Sequence, residues 1–220
     1  FDEDNHEKLI KKLAEYSNEY SILAGYKSSV NIKIDQKISD LRTLKVSAFH
    51  SFILGVLHLR TEQKITDDDC LAILDAIFVY IARKSILGTR KSENKDAVLI
   101  AKYFDDLVSA DNKKDAMLEI CANQTFSMRL PNDNEIKDFL LNEKSNFYNF
   151  ESGRFLFSLI EESLTKNRPT LTDKILQVEH IMPQTLNETW KNELGANYKA
   201  IHDNYLNNIG NLTLIRHNQE

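Results

Sequence analysis

The chain of 220 residues holds only three prolines and six glycines. Little therefore interrupts long helices, because these are the two residues that break or weaken a helix interior. There are only two cysteines, Cys70 and Cys121. They lie far apart in apolar-periodic contexts, which excludes a disulfide framework and a close-spaced zinc cage. Two buried thiols in a reducing cytoplasm are the expectation. No apolar run reaches the roughly 18 residues that a membrane span needs. The most apolar stretch, 70–87, carries Asp75, Arg83 and Lys84 and reads as a buried helix. Nothing resembling a leader follows Phe1, so the chain is expected to be a fragment or a processed piece. Positive charge is also short. The formal charge is −5, which argues against nucleic acid as a partner of the whole surface, whereas an active-site cleft needs only local positive charge.

What is present is the composition of an ordinary globular protein, 42% apolar and 28% charged. Apolar residues recur at helical spacing over 6–23, at Leu9, Ile10, Leu13, Tyr16, Tyr20 and Leu23, and again over 34–44. The stretch 48–59 is apolar nearly all round and predicts a central helix. Thr66 followed by Asp67, Asp68 and Asp69 is a helix start, a hydroxyl cap with acids at the positive end of the dipole. That helix is expected to run to about Leu87, with Gly88 as its terminator. Further helices are predicted over 97–110, 113–121, from Asn132 with Glu135 three residues on, and over 153–166.

After Pro169 the texture changes. Residues 175–181 form a branched segment that predicts a strand, and 210–215 a second one. Trp190 and the stretch 197–206 fill the connection with helical turns. The expected architecture is mainly α, with a bundle-like helical domain over 1–168 and a small hairpin module over 169–220.

The residues with chemistry are Glu179, His180 and Pro183, then Gly210 and Asn211, then Asn218. Successive side chains of a regular strand alternate faces, so Glu179 and His180 together require the strand to end or bulge there. Pro183 enforces an exit. An acid, an imidazole and two amides are thereby predicted to converge over a short hairpin.

The arrangement resembles HNH, or ββα-metal, nucleases. The run Val178-Glu179-His180-Ile181-Met182-Pro183-Gln184 with the later Ile209-Gly210-Asn211-Leu212-Thr213-Leu214 is similar to the C-terminal nuclease region of the GmrSD group. These are modification-dependent restriction enzymes and related phage-defence proteins. The resemblance implies a ββα-metal module whose final helix is cut short at Glu220. It implies a helical region before it, loosely matched at Tyr80-Ile81-Ala82-Arg83-Lys84, and a nucleotide-hydrolysing domain upstream that has no counterpart here. It gives His180 the role of general base and Asn211 that of orienting it. Glu179 and Asn218 become ligands of a single Mg²⁺ or Mn²⁺, with His217 as an alternative ligand. Hard oxygen donors suit such an ion.

The implied function is endonucleolytic cutting of DNA, in restriction of modified or foreign phage DNA. An RNA-cutting enzyme shares the same chemistry. A non-catalytic helical interaction module with a structural hairpin remnant is the rival reading, and the acidic charge favours it. Arg83, Lys84, Arg90 and Lys91, with Lys95 beside them, form the densest basic cluster. A solvated helix end is its ordinary meaning, with DNA phosphate or an upstream domain as the alternative contact. His202 is expected on the surface and His50 in the core.

Overall fold

The computed structural model describes residues 3–91, 93–124, 128–142, 145–150, 152–169 and 176–216. The chain divides into two compact units, 1–131 and 132–220. Among the described residues, no helix is long and apolar enough to cross a membrane.

The first unit is helical: α1 (Glu3–Glu15), α2 (Ser17–Leu23), α3 (Ile32–Thr43), α4 (His50–Thr61), α5 (Asp67–Ile86), α6 (Glu93–Ala101), α7 (Phe104–Ser109) and α8 (Lys113–Ala122). Its centre is α5, which packs against α3, α4 and α8. Ile34, Leu41, Ile53, Val56, Ile73, Leu74, Ile77 and Tyr80 are fully buried there. The start of α5 is the predicted one: the Thr66 hydroxyl accepts the Asp69 amide while the Asp69 carboxylate accepts that of Thr66. Gly88 follows the helix at φ +65°, the left-handed conformation in which glycine carries no Cβ penalty. Two predicted helices each divide. The 6–23 stretch breaks near Tyr16 into α1 and α2, and Leu9, Ile10 and Leu13 remain exposed. The 97–110 stretch breaks at residues 102–103. Both cysteines are free and buried, and burial pushes each thiol up to about 12.

The second unit contains α9 (Asp133–Leu141), α10 (Gly153–Thr165), β1 (Leu176–His180), α11 (Glu188–Leu194), α12 (Tyr198–Tyr205) and β2 (Leu212–Arg216). Asn132 and Glu135 form the predicted reciprocal cap of α9. β1 and β2 pair antiparallel in continuous register, with Glu179 opposite Thr213 and His180 opposite Leu212. Phe155 and Phe157 of α10 are buried, as are Leu176, Met182 and Leu212, and the helix packs on both strands. That packing corrects the expected boundary near residue 168. A two-stranded hairpin cannot bury its own apolar face, so 132–168 supplies the helical backing and groups with the hairpin.

Candidate active site at the end of the hairpin

The register is regular to the last residue of β1, so Glu179 and His180 leave the strand on opposite faces. The strand ends at His180 and does not bulge, which is one of the two expected solutions. Beyond it the chain turns through Ile181 and Met182 to Pro183. The turn is held by Asn211. The Ile181 amide donates to the Asn211 carbonyl at 2.9 Å. The Met182 amide donates to Asn211 Oδ1 at 2.7 Å, and Asn211 Nδ2 donates to the carbonyls of Met182 at 3.1 Å and Leu206 at 2.8 Å. Asn211 thus acts on the backbone beside His180, and its amide bonds run to main-chain atoms rather than to the imidazole.

The ring itself is gripped by residues that sequence reasoning missed. His180 Nε2 lies 3.0 Å from Asn207 Oδ1. Gln184 Nε2 lies 3.5 Å from Nδ1. The Tyr148 ring covers the imidazole face, with centroids 4.2 Å apart and planes tilted by 37°. The Asn207 carbonyl in turn accepts the Phe147 amide at 2.8 Å, which seats the neighbouring Tyr148. Phe147 is buried between Phe139 and Phe150, edge-on to both. Buried Asn208 fixes this segment twice, accepting the Gly210 amide and donating to the Asn142 carbonyl, each at 3.0 Å. An asparagine pair ahead of Ile209-Gly210-Asn211 is a turn signal, and it was there to be found. No sequence signal marks Tyr148.

His202 is not a free surface group. Its Nε2 donates to the Pro183 carbonyl at 3.0 Å and its side chain is 16% exposed, so α12 also braces the turn after His180. His50 is partly buried, and desolvation lowers its pKa.

Glu179 is partly buried and borders an open groove of about 490 Å³, whose lining includes Tyr148, Arg154 and Gln177. The predicted partner ligand Asn218, like His217, lies outside the described residues. Among the described residues no three His, Cys, Asp or Glu side chains converge on a point suited to a metal ion.

The basic cluster is largely built into the first unit. Lys84 is 1% exposed and ion-paired with buried Asp96, with the Tyr80 hydroxyl 3.1 Å from its Nζ. This overturns the reading of Lys84 as a phosphate contact, since a buried, paired ammonium cannot reach an external anion. Arg90 binds Glu93 and the Leu44 carbonyl, and Arg83 donates to the Pro131 carbonyl at 2.8 Å. Lys91 is exposed.

A hairpin backed by helices, with a half-buried imidazole fixed at a strand end, defines this unit as a small α+β domain carrying one polar site. Residues 130–219 match the family model described as GmrSD restriction endonucleases, C-terminal domain. The match begins two residues before the second unit does. No curated protein and no solved structure matches the chain.

Proposed function

We propose that the second unit is the cutting module of a metal-dependent endonuclease of the HNH kind, which hydrolyses DNA phosphodiester bonds in the restriction of modified or foreign DNA. The observation that carries this reading is His180: a half-buried imidazole at a strand end, held at ring edge and face, in a stretch that matches a restriction-endonuclease family model.

In this mechanism the neutral imidazole accepts a proton from water as the water oxygen forms its bond to phosphorus. The P–O3′ bond breaks, and the departing oxygen is protonated from solvent. Asn211 keeps the turn after His180 in place. Glu179 and Asn218 are the ligands proposed for Mg²⁺ or Mn²⁺, a carboxylate and an amide oxygen being suited to a hard ion. When bound, the ion would neutralise charge on the phosphate and on the leaving oxygen.

The test is conversion of supercoiled plasmid with Mg²⁺ or Mn²⁺ by the wild type and by His180→Ala. Loss of a positioned base is expected to slow cutting about 100-fold or more. Equal cutting by the two proteins removes His180 from the chemistry, and absence of metal-dependent cutting by the wild type favours the non-catalytic alternative.

A further inference from the structure

We infer that Asn207 is a positioning residue for His180: its side-chain oxygen holds the imidazole hydrogen on Nε2 and so leaves the lone pair on Nδ1. The catalytic consequence of this inference rests on the reading of His180 as the base.

The argument starts from what each ring nitrogen meets. A neutral imidazole carries one hydrogen, and the bond made by one nitrogen decides the state of the other. At Nε2 the neighbour is an amide oxygen, Asn207 Oδ1, at 3.0 Å. An amide oxygen only accepts, so this contact is a hydrogen bond when Nε2 carries the hydrogen. At Nδ1 the neighbour is an amide nitrogen, Gln184 Nε2, at 3.5 Å. An amide NH₂ only donates, so this side calls for a lone pair. Both neighbours select the same tautomer.

The two contacts differ in what backs them. Asn207 lies in a stretch with several fixed points: its carbonyl accepts the Phe147 amide, and the adjacent Asn208 is buried and bonded at both ends of its side chain. Gln184 is exposed, and no other bond holds its amide to a second group among the described residues. The Nε2 side is therefore the anchored one. The Nδ1 side, covered only by a long contact to a flexible side chain, is the one a water molecule can enter. The Tyr148 ring limits rotation out of this plane.

The experiment reads the tautomer directly. Uniformly ¹⁵N-labelled protein is examined by long-range ¹H–¹⁵N correlation at about pH 9, far above the ordinary imidazole range. His180 is assigned by the signal lost in His180→Gln. The wild type is expected to show the Nε2–H pattern. Asn207→Asp keeps an acceptor oxygen at the same place and is expected to keep it. Asn207→Leu and Asn207→Ala remove the acceptor, and both are expected to mix the two tautomers while melting as folded proteins, because the Asn207 carbonyl remains to bind Phe147. Plasmid cutting by these two is expected to fall in kcat with little change in KM, because a smaller share of the imidazoles holds the competent tautomer and orientation. An Nδ1–H pattern in the wild type overturns the assignment. So does an unchanged Nε2–H pattern in the acceptorless variants. The tautomer is read without metal or DNA, so it stands or falls separately from the cutting test on His180→Ala.

Discussion

Asn211 and Met182 are joined twice, the asparagine amide both accepting from the Met182 backbone nitrogen at 2.7 Å and donating to its carbonyl at 3.1 Å. This pair fixes the exit of β1, and with it the place from which His180 projects. Asn211→Ala leaves three part-buried main-chain groups without their partner, counting the Leu206 carbonyl. It is expected to lower stability by about 2–3 kcal/mol. Asn211→Asp should cost more, since it replaces two donors with an anion facing carbonyl oxygens. Urea unfolding of the two variants beside His180→Ala checks this: the imidazole variant should unfold close to the wild type and the two Asn211 variants well below it. Equal midpoints for all three would remove the clamp.

The buried pair of Lys84 and Asp96 joins α5 to α6 in the first unit. Removing one partner strands the other charge in an apolar interior, so Lys84→Met or Asp96→Asn should each cost about 3–5 kcal/mol. Replacing both by apolar residues of similar volume should cost far less, because no charge is left buried. A double-mutant cycle read by thermal or urea unfolding measures this coupling. Additive losses would show that the pair does not act as a unit.

Asp75 of α5 ties two other helices, binding Lys37 of α3 at 2.8 Å and Lys114 of α8. Burial alone would raise its pKa, but the hydrogen bonds from Lys114 and Lys37 outweigh this and hold the carboxyl below its ordinary value. A pKa depressed on folding gives stability that is present above the unfolded value, about 4. That stability is lost as pH falls through the lower folded value. The expected result is an acid-side decline in unfolding free energy below about pH 5 that Asp75→Asn flattens. An identical acid limb in the variant would show that the two lysines do not lower the carboxyl.

Much of this architecture was legible because its determinants are local. Thr66 with Asp69 and Asn132 with Glu135 predict helix starts from four residues each, and both caps form. The two strands were legible because branched residues bounded by Pro183 and Gly210 interrupt a helical texture. Non-local contacts decided the rest. Helical periodicity ran through Tyr16 and over residues 102–103, where the helices in fact break. Lys84 reads as one of several surface cations, and only the fold brings Asp96 beside it. In the site, His180, Glu179 and Asn211 stood out by residue type and spacing. Tyr148 and Asn207 did not, since each acquires its role by meeting a ring 32 or 27 residues away in sequence.

Glu179 gives a test of metal binding that needs no DNA. Glu179 pairs with Thr213 in the hairpin register and borders an open groove. An ion that binds the folded state alone raises stability by RT ln(1 + [L]/Kd), about 2.7 kcal/mol at a hundredfold excess over Kd. Titrating Mn²⁺ or Mg²⁺ into the wild type should therefore raise the melting temperature of the second unit progressively. Glu179→Gln keeps the size and a neutral oxygen but removes the charge, so its melting temperature should stay flat over the same range. His180→Ala, which removes no proposed ligand, should respond as the wild type does. A flat wild-type titration, or a response in Glu179→Gln as large as that of the wild type, would rule out Glu179 as a ligand.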